Sequence, residues 1–171
     1  VSIGGKIVTS DTPELDFKVP SDFLVAYLKT TLGNLWLEKE FSKNNLEMHE
    51  IARWYMKGVS NLDGKDGNDW GKVNGKALAI LHLAYDLFVL ESLNNLPDSI
   101  LERLRNNQNF NGARYELFVF ATMVRAGFVL EFLDEKSGLN GRVAECIATH
   151  TESKERVYVE AKTRNIKHIL G

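Results

Sequence analysis

Cysteine is nearly absent from this chain of 171 residues and proline is scarce: there is one cysteine, Cys146, and there are three prolines. A single cysteine excludes an internal disulfide framework and a cysteine-rich zinc site, and it fits a reducing, cytoplasmic setting. With 44% hydrophobic residues and so little proline, the chain is neither disordered nor of low complexity. Long hydrophobic runs are missing too. The longest, Ala77 to Leu90, is about 14 residues, is broken by His82 and Asp86, and falls short of the roughly 20 that a membrane span needs. No membrane association is expected. The opening residues lack the pattern of a secretory leader, so none is expected, and a start at Val1 rather than Met suggests a trimmed chain or a fragment. A general basic coat for nucleic acid is absent as well, because 21 Lys and Arg face 23 Asp and Glu for a net charge of −2.

That charge is unevenly spread. Residues 1–100 carry 10 basic and 14 acidic side chains, whereas residues 136–171 carry 7 and 4. An anionic ligand would dock on the C-terminal segment rather than elsewhere. The hydropathy pattern divides the chain similarly. Residues 1–19 read as an extended arm, residues 20–108 as a helical region, and residues 109–171 as a helix followed by three strands. Ser21 is placed to cap a helix to Leu28, Asn34 to Lys43 reads as a second, and Asn44 with Glu47 forms a capping box for a third. Gly75 to Leu93 is apolar nearly all round and reads as a buried helix. Ser99 and Glu102 open a short helix to Arg105. Residues 110–126 form a helix stopped by Gly127, and strands follow over Phe128–Leu133, Val143–Thr149 and Arg156–Lys162.

Several suggestive groupings carry no chemistry. Asp63 to Asp69 invites a calcium loop, but starting at Asp63 puts Lys65 at the third position, and starting at Asp66 puts Trp70 at the fifth. It reads as a solvated turn. His82 and Asp86 lie four apart on a helix but no third ligand is spaced near them, so His82 reads as a core histidine. Cys146 lies among Ala144 and Ala148 and reads as a packed thiol.

One constellation remains. Side chains alternate along a strand, so Val157, Val159 and Ala161 share an apolar face while Tyr158, Glu160 and Lys162 share the other, with Glu160 and Lys162 about 7 Å apart. Glu145, one strand earlier, meets Glu160 if the hairpin register permits. On the preceding helix, at about 100° per residue, Glu116 is flanked by Ala113, Val119, Phe120 and Met123. A buried carboxylate needs a partner: a cation, a backbone donor or a metal. Carboxylates beside a lysine suit a hard divalent cation, which neutralises a phosphodiester oxygen and acidifies a bound water while the lysine stabilises the transition state.

The run Phe110-Asn-Gly-Ala-Arg-Tyr-Glu116, then Arg125-Ala-Gly-Phe128, Val143-Ala-Glu145 and Val157-Tyr-Val-Glu-Ala-Lys-Thr-Arg164 resembles the PD-(D/E)xK nuclease superfamily. The resemblance covers about residues 110–164. It implies an α+β chain: a mostly helical N-terminal region, then a helix and a three-stranded mixed or antiparallel sheet of restriction endonuclease-like type. By it, Glu145 and Glu160 would bind Mg2+ or Mn2+, Glu116 would reach the metal directly or through water, and Lys162 would be the catalytic lysine. Glu145 stands without the family's Pro-Asp, and Asp134 or Glu135 are alternatives in a probable turn. The family core continues beyond the Glu-x-Lys strand, whereas only Asn165 to Gly171 remain here. The core is therefore expected to be incomplete, and a longer natural chain, a further domain or a second copy of the chain would complete it. Arg156, Arg164, Lys167 and Lys154 would hold a nucleic-acid backbone, most simply DNA. The implied activity is metal-dependent endo- or exonucleolytic cleavage. A catalytically inactive module that binds nucleic acid or protein is the alternative, and a helical scaffold with a structural hairpin is a third.

Overall fold

A computed structural model of the chain describes residues 2–3, 6–7, 17, 19–59, 74–93, 96–133 and 144–163. They form an α+β protein whose chain divides into two compact units, Val1–Val89 and Leu90–Gly171. The helical pattern groups residues 98–104 with the N-terminal region, whereas the second compact unit begins at Leu90 and includes them. The solvated turn expected at Asp63 to Asp69, and Asp134, Glu135, Val143, Arg164 and Lys167, lie outside the described residues. No described helix is long and apolar enough to cross a membrane.

In the first unit, β1 (Ser2–Ile3) pairs antiparallel with β2 (Lys6–Ile7). Helix α1 (Pro20–Leu32) starts on a proline, which needs no N–H partner in a first turn, and buries Leu24, Leu28 and Leu32. It begins ahead of Ser21, so Val19 and not Ser21 holds the N-cap position. After Gly33 comes α2 (Asn34–Phe41). The capping box expected at Asn44 is instead a turn: the Asn44 side-chain oxygen accepts the Leu46 and Glu47 N–H groups at 3.1 and 3.0 Å, and α3 begins only at Glu50. An asparagine that satisfies its own turn competes with helix formation. Helix α3 spans Glu50–Val59 and α4 spans Gly75–Glu91. Asn74 caps α4, accepting from Lys76 and Ala77 at 3.0 and 2.9 Å. One side of α4 is solvated, with Leu78 and His82 exposed four residues apart. His82 is therefore not a core histidine, whereas Asp86 is buried.

The second unit opens with α5 (Asp98–Leu104), which follows Pro97 without a side-chain cap, so Ser99 and Glu102 form no box. A turn closed by the Asn106 carboxamide, which accepts from Gln108 and Asn109, leads into α6 (Phe110–Arg125). Strands β3 (Phe128–Phe132), β4 (Cys146–His150) and β5 (Arg156–Val159) form an antiparallel sheet in the order β3-β4-β5. Gly127, at φ +90°, makes the turn from α6 into β3. A Cβ there would lie 3.2 Å from the His150 ring, so both the conformation and the space call for glycine. The register sets Leu130 opposite Ala148 and Ala148 opposite Val157, then Phe132 opposite Cys146 and Cys146 opposite Val159. This is the inner face. Phe120 of α6 meets Phe132 edge to face at 5.1 Å, and Leu130, Cys146 and Ala148 are buried. Cys146 is the packed thiol its neighbours suggest, and burial pushes its thiol up to about 11.

Candidate functional site

The helical period places Glu116 among apolar neighbours, and the structure buries it at 8% exposure beside buried Ala113, Leu117 and Phe120. Of the three partners open to it, the structure supplies a cation. Arg103 of α5 donates to both carboxylate oxygens, at 2.6 Å to Oε2 and 2.5 Å to Oε1. Such a fork-on-fork pair is the strongest form an Arg–carboxylate contact takes. Sequence reading missed Arg103 because it arrives from the preceding helix. The available signal was the demand of Glu116 for a positive charge, with Arg103 and Arg105 just upstream.

Glu145 lies just before β4 and is half-buried. Its N–H donates to the Val159 carbonyl at 2.8 Å, although Val159 already faces Cys146 in the ladder. Two residues of one strand thus address one of the next, as in a β-bulge, a device that re-aims a side chain. For this reason regular pairing is shorter than the period-two pattern suggests: β4 begins at Cys146 and β5 ends at Val159. The Glu145 Oε2 accepts the N–H of Ala161 at 3.0 Å, so this carboxylate ties down the stretch that carries Glu160 and Lys162. Those two side chains are exposed and pair at 2.5 Å.

Electrostatically the groups form one neighbourhood. Burial raises the Glu145 carboxyl above its ordinary value, the bond from Ala161 opposes this, Glu116 pushes it up further, Arg103 pulls it down, and Glu160 adds to the rise. Glu145 therefore feels both other carboxylates. The donors are hard oxygens of the kind magnesium prefers, and that ion commonly takes only one or two carboxylates alongside water and substrate phosphate. Glu145 and Glu160 meet that donor chemistry. Glu116 already gives both oxygens to Arg103, and among the described residues no group of three His, Cys, Asp or Glu side chains is placed to hold a metal ion.

The expected backbone-binding residues separate from this centre. Arg156 opens β5 and Glu160 follows its end, so about 13 Å of chain lies between them. Lys154 is further back, in the β4–β5 turn, where it adopts φ 61° and its ammonium donates to the Thr151 carbonyl at 2.6 Å. Both are exposed. Comparison of the chain with known protein families, with curated proteins and with solved structures finds no match.

Proposed function

We propose that the second unit is a nuclease-like domain that hydrolyses phosphodiester bonds, in DNA first of all, with a divalent cation held by Glu145 and Glu160. The observation that carries this reading is the placement of Glu145: half-buried, tied to Ala161, raised first by burial and then by Glu116 and Glu160, with Arg103 opposing. Negative charge gathered at a sheet end invites a cation. When bound, magnesium or manganese would neutralise a phosphate oxygen and acidify a water. The chain's own residues do the rest. Glu145 and Glu160 supply the carboxylates, and the bulge at Glu145 aims its side chain toward the Ala161 stretch. Lys162, two residues past Glu160 and beyond the end of β5, gives up its contact with that carboxylate and stabilises the charge developing on phosphorus-bound oxygen. Arg156 and Lys154 hold the backbone at a distance from the scissile bond.

Plasmid cleavage with Mg2+ and with EDTA tests this, comparing the wild-type chain with Lys162→Ala and Glu160→Ala. Cleavage by the wild type alone is expected, and three proteins that behave alike would end the catalytic assignment. One observation favours a second reading, a module of the same build that binds without cutting: the Arg103 guanidinium already compensates Glu116. That reading predicts no stabilisation by Mg2+, whereas a cation bound only by the folded state raises the melting temperature by mass action.

A further inference from the structure

The family resemblance would enlist Glu116 for the metal, but the structure gives it another occupation. Both of its oxygens face the guanidinium of Arg103, at 2.6 and 2.5 Å, inside a helix face whose other members are buried. The planar fork matches the carboxylate in shape as well as charge. A divalent cation would bind Glu116 only by displacing that guanidinium, and the displaced positive charge would remain beside the incoming one, because Arg103 is near enough to act on Glu145 too. The pair is neutral overall, so next to Glu145 it contributes far less field than a bare carboxylate. Lys162 does not offer the same compensation: it is exposed, as is its contact with Glu160, and such surface pairs are readily exchanged.

We infer that Arg103 is the resident counter-ion of Glu116, so that the site takes one divalent cation through Glu145 and Glu160, and Glu116 with Arg103 is a positioning pair rather than part of the ligand set. This rests on the function proposed above and specifies its metal stoichiometry. The pair joins α5 to α6 and holds the field at Glu145 steady. Arg103 is thus a residue of the site that the Glu-x-Lys pattern does not contain.

Mn2+ titration followed by electron paramagnetic resonance of the free ion tests the assignment, with the full chain and with circular dichroism to confirm folding. The wild type is expected to bind one Mn2+. The double variant Arg103→Gln with Glu116→Gln exchanges a neutral pair for a neutral pair and is expected to bind one Mn2+ with affinity within about threefold of wild type. Arg103→Gln alone removes a competing positive charge and is expected to bind Mn2+ about tenfold more tightly. A folded double variant that loses tenfold or more in affinity would make Glu116 a ligand and overturn the inference. Should the amide pair fold poorly, Arg103→Met with Glu116→Leu removes the same charges while keeping apolar volume, and the same comparison decides. A wild-type chain that binds no Mn2+ would instead refute the metal-dependent function itself, so the two failures are distinguishable.

Discussion

At the residue scale the second unit is organised around a carboxylate that cannot stand alone. Truncating Arg103 to Ala leaves Glu116 charged, buried and without its fork. We expect a loss of about 2–3 kcal/mol in urea unfolding, toward the low side for a buried pair because Arg103 itself is partly in water. A loss below 0.5 kcal/mol, the range of ordinary surface changes, would contradict the importance given to the pair. The first unit has its own buried polar node. The His49 backbone N–H donates to Glu40 Oε2 at 2.9 Å, the Lys43 ammonium donates to the other oxygen at 2.6 Å, and the His49 ring packs edge-on to Trp36 at 5.2 Å. Burial pushes His49 from 6.5 down to about 4, against the pull of Glu40. A depressed histidine favours the folded state fully above 6.5, and that contribution drains away as pH falls toward 4. The loss should reach up to ~3 kcal/mol. Stability curves of the wild type and His49→Gln check this: the variant should be flatter over that window, and equal slopes would refute the assignment. The burial of Glu116 was legible, since it follows from helical period alone. Its partner was not, because α5 and α6 must first pack before Arg103 can reach it. His49 was missed for the same reason, since it lies just before α3 and packs against Trp36 and Glu40 of α2.

At the element scale, the strand alternation that placed Val157, Val159 and Ala161 together holds, because the sheet needs an apolar face for α6. What alternation cannot show is an interruption. The bulge at Glu145 adds a residue to one strand without any change in hydropathy, so the shortened pairing of β4 and β5 leaves no sequence trace. Capping signals failed in a similar way. Asn44 has the right side chain for a cap but spends it on a turn, whereas Asn74 caps α4 from a stretch whose composition reads only as loop. Helix proximity in the first unit makes a sharper prediction. A Cβ on Gly58 would come within 2.8 Å of the Ala77 amide nitrogen, which is backbone and cannot turn aside, while a Cβ on Gly75 meets nothing within 4 Å. Gly58→Ala should therefore cost about 1–3 kcal/mol as an overpacked contact between α3 and α4. Gly75→Ala should be neutral or stabilising by up to about 1 kcal/mol, because alanine restricts the unfolded chain. Thermal melts of both variants test the contrast, and a reversed order would contradict the close approach.

At the scale of the whole molecule, the candidate site belongs to the second of the two units, while charge is shared between them. The acidic surplus belongs to residues 1–100 and the basic surplus to the last 36, but the exposed Lys154 and Arg156 are at the far end of β5 from Glu160. A substrate strand reaching from one to the other would span the length of the hairpin. The α+β class was legible from the change in period after residue 126, a strong signal because helices and strands demand incompatible spacings. The division of the chain at Val89 was not, since α5 looks like any other short helix until its contact with α6 is known. If Glu145 and Glu160 together hold a divalent cation, Mn2+ binding must separate the wild type from the double variant Glu145→Gln with Glu160→Gln. One bound Mn2+ is expected in the wild type, with affinity lower by tenfold or more in the folded variant. Equal binding by both proteins, or none by either, would contradict it.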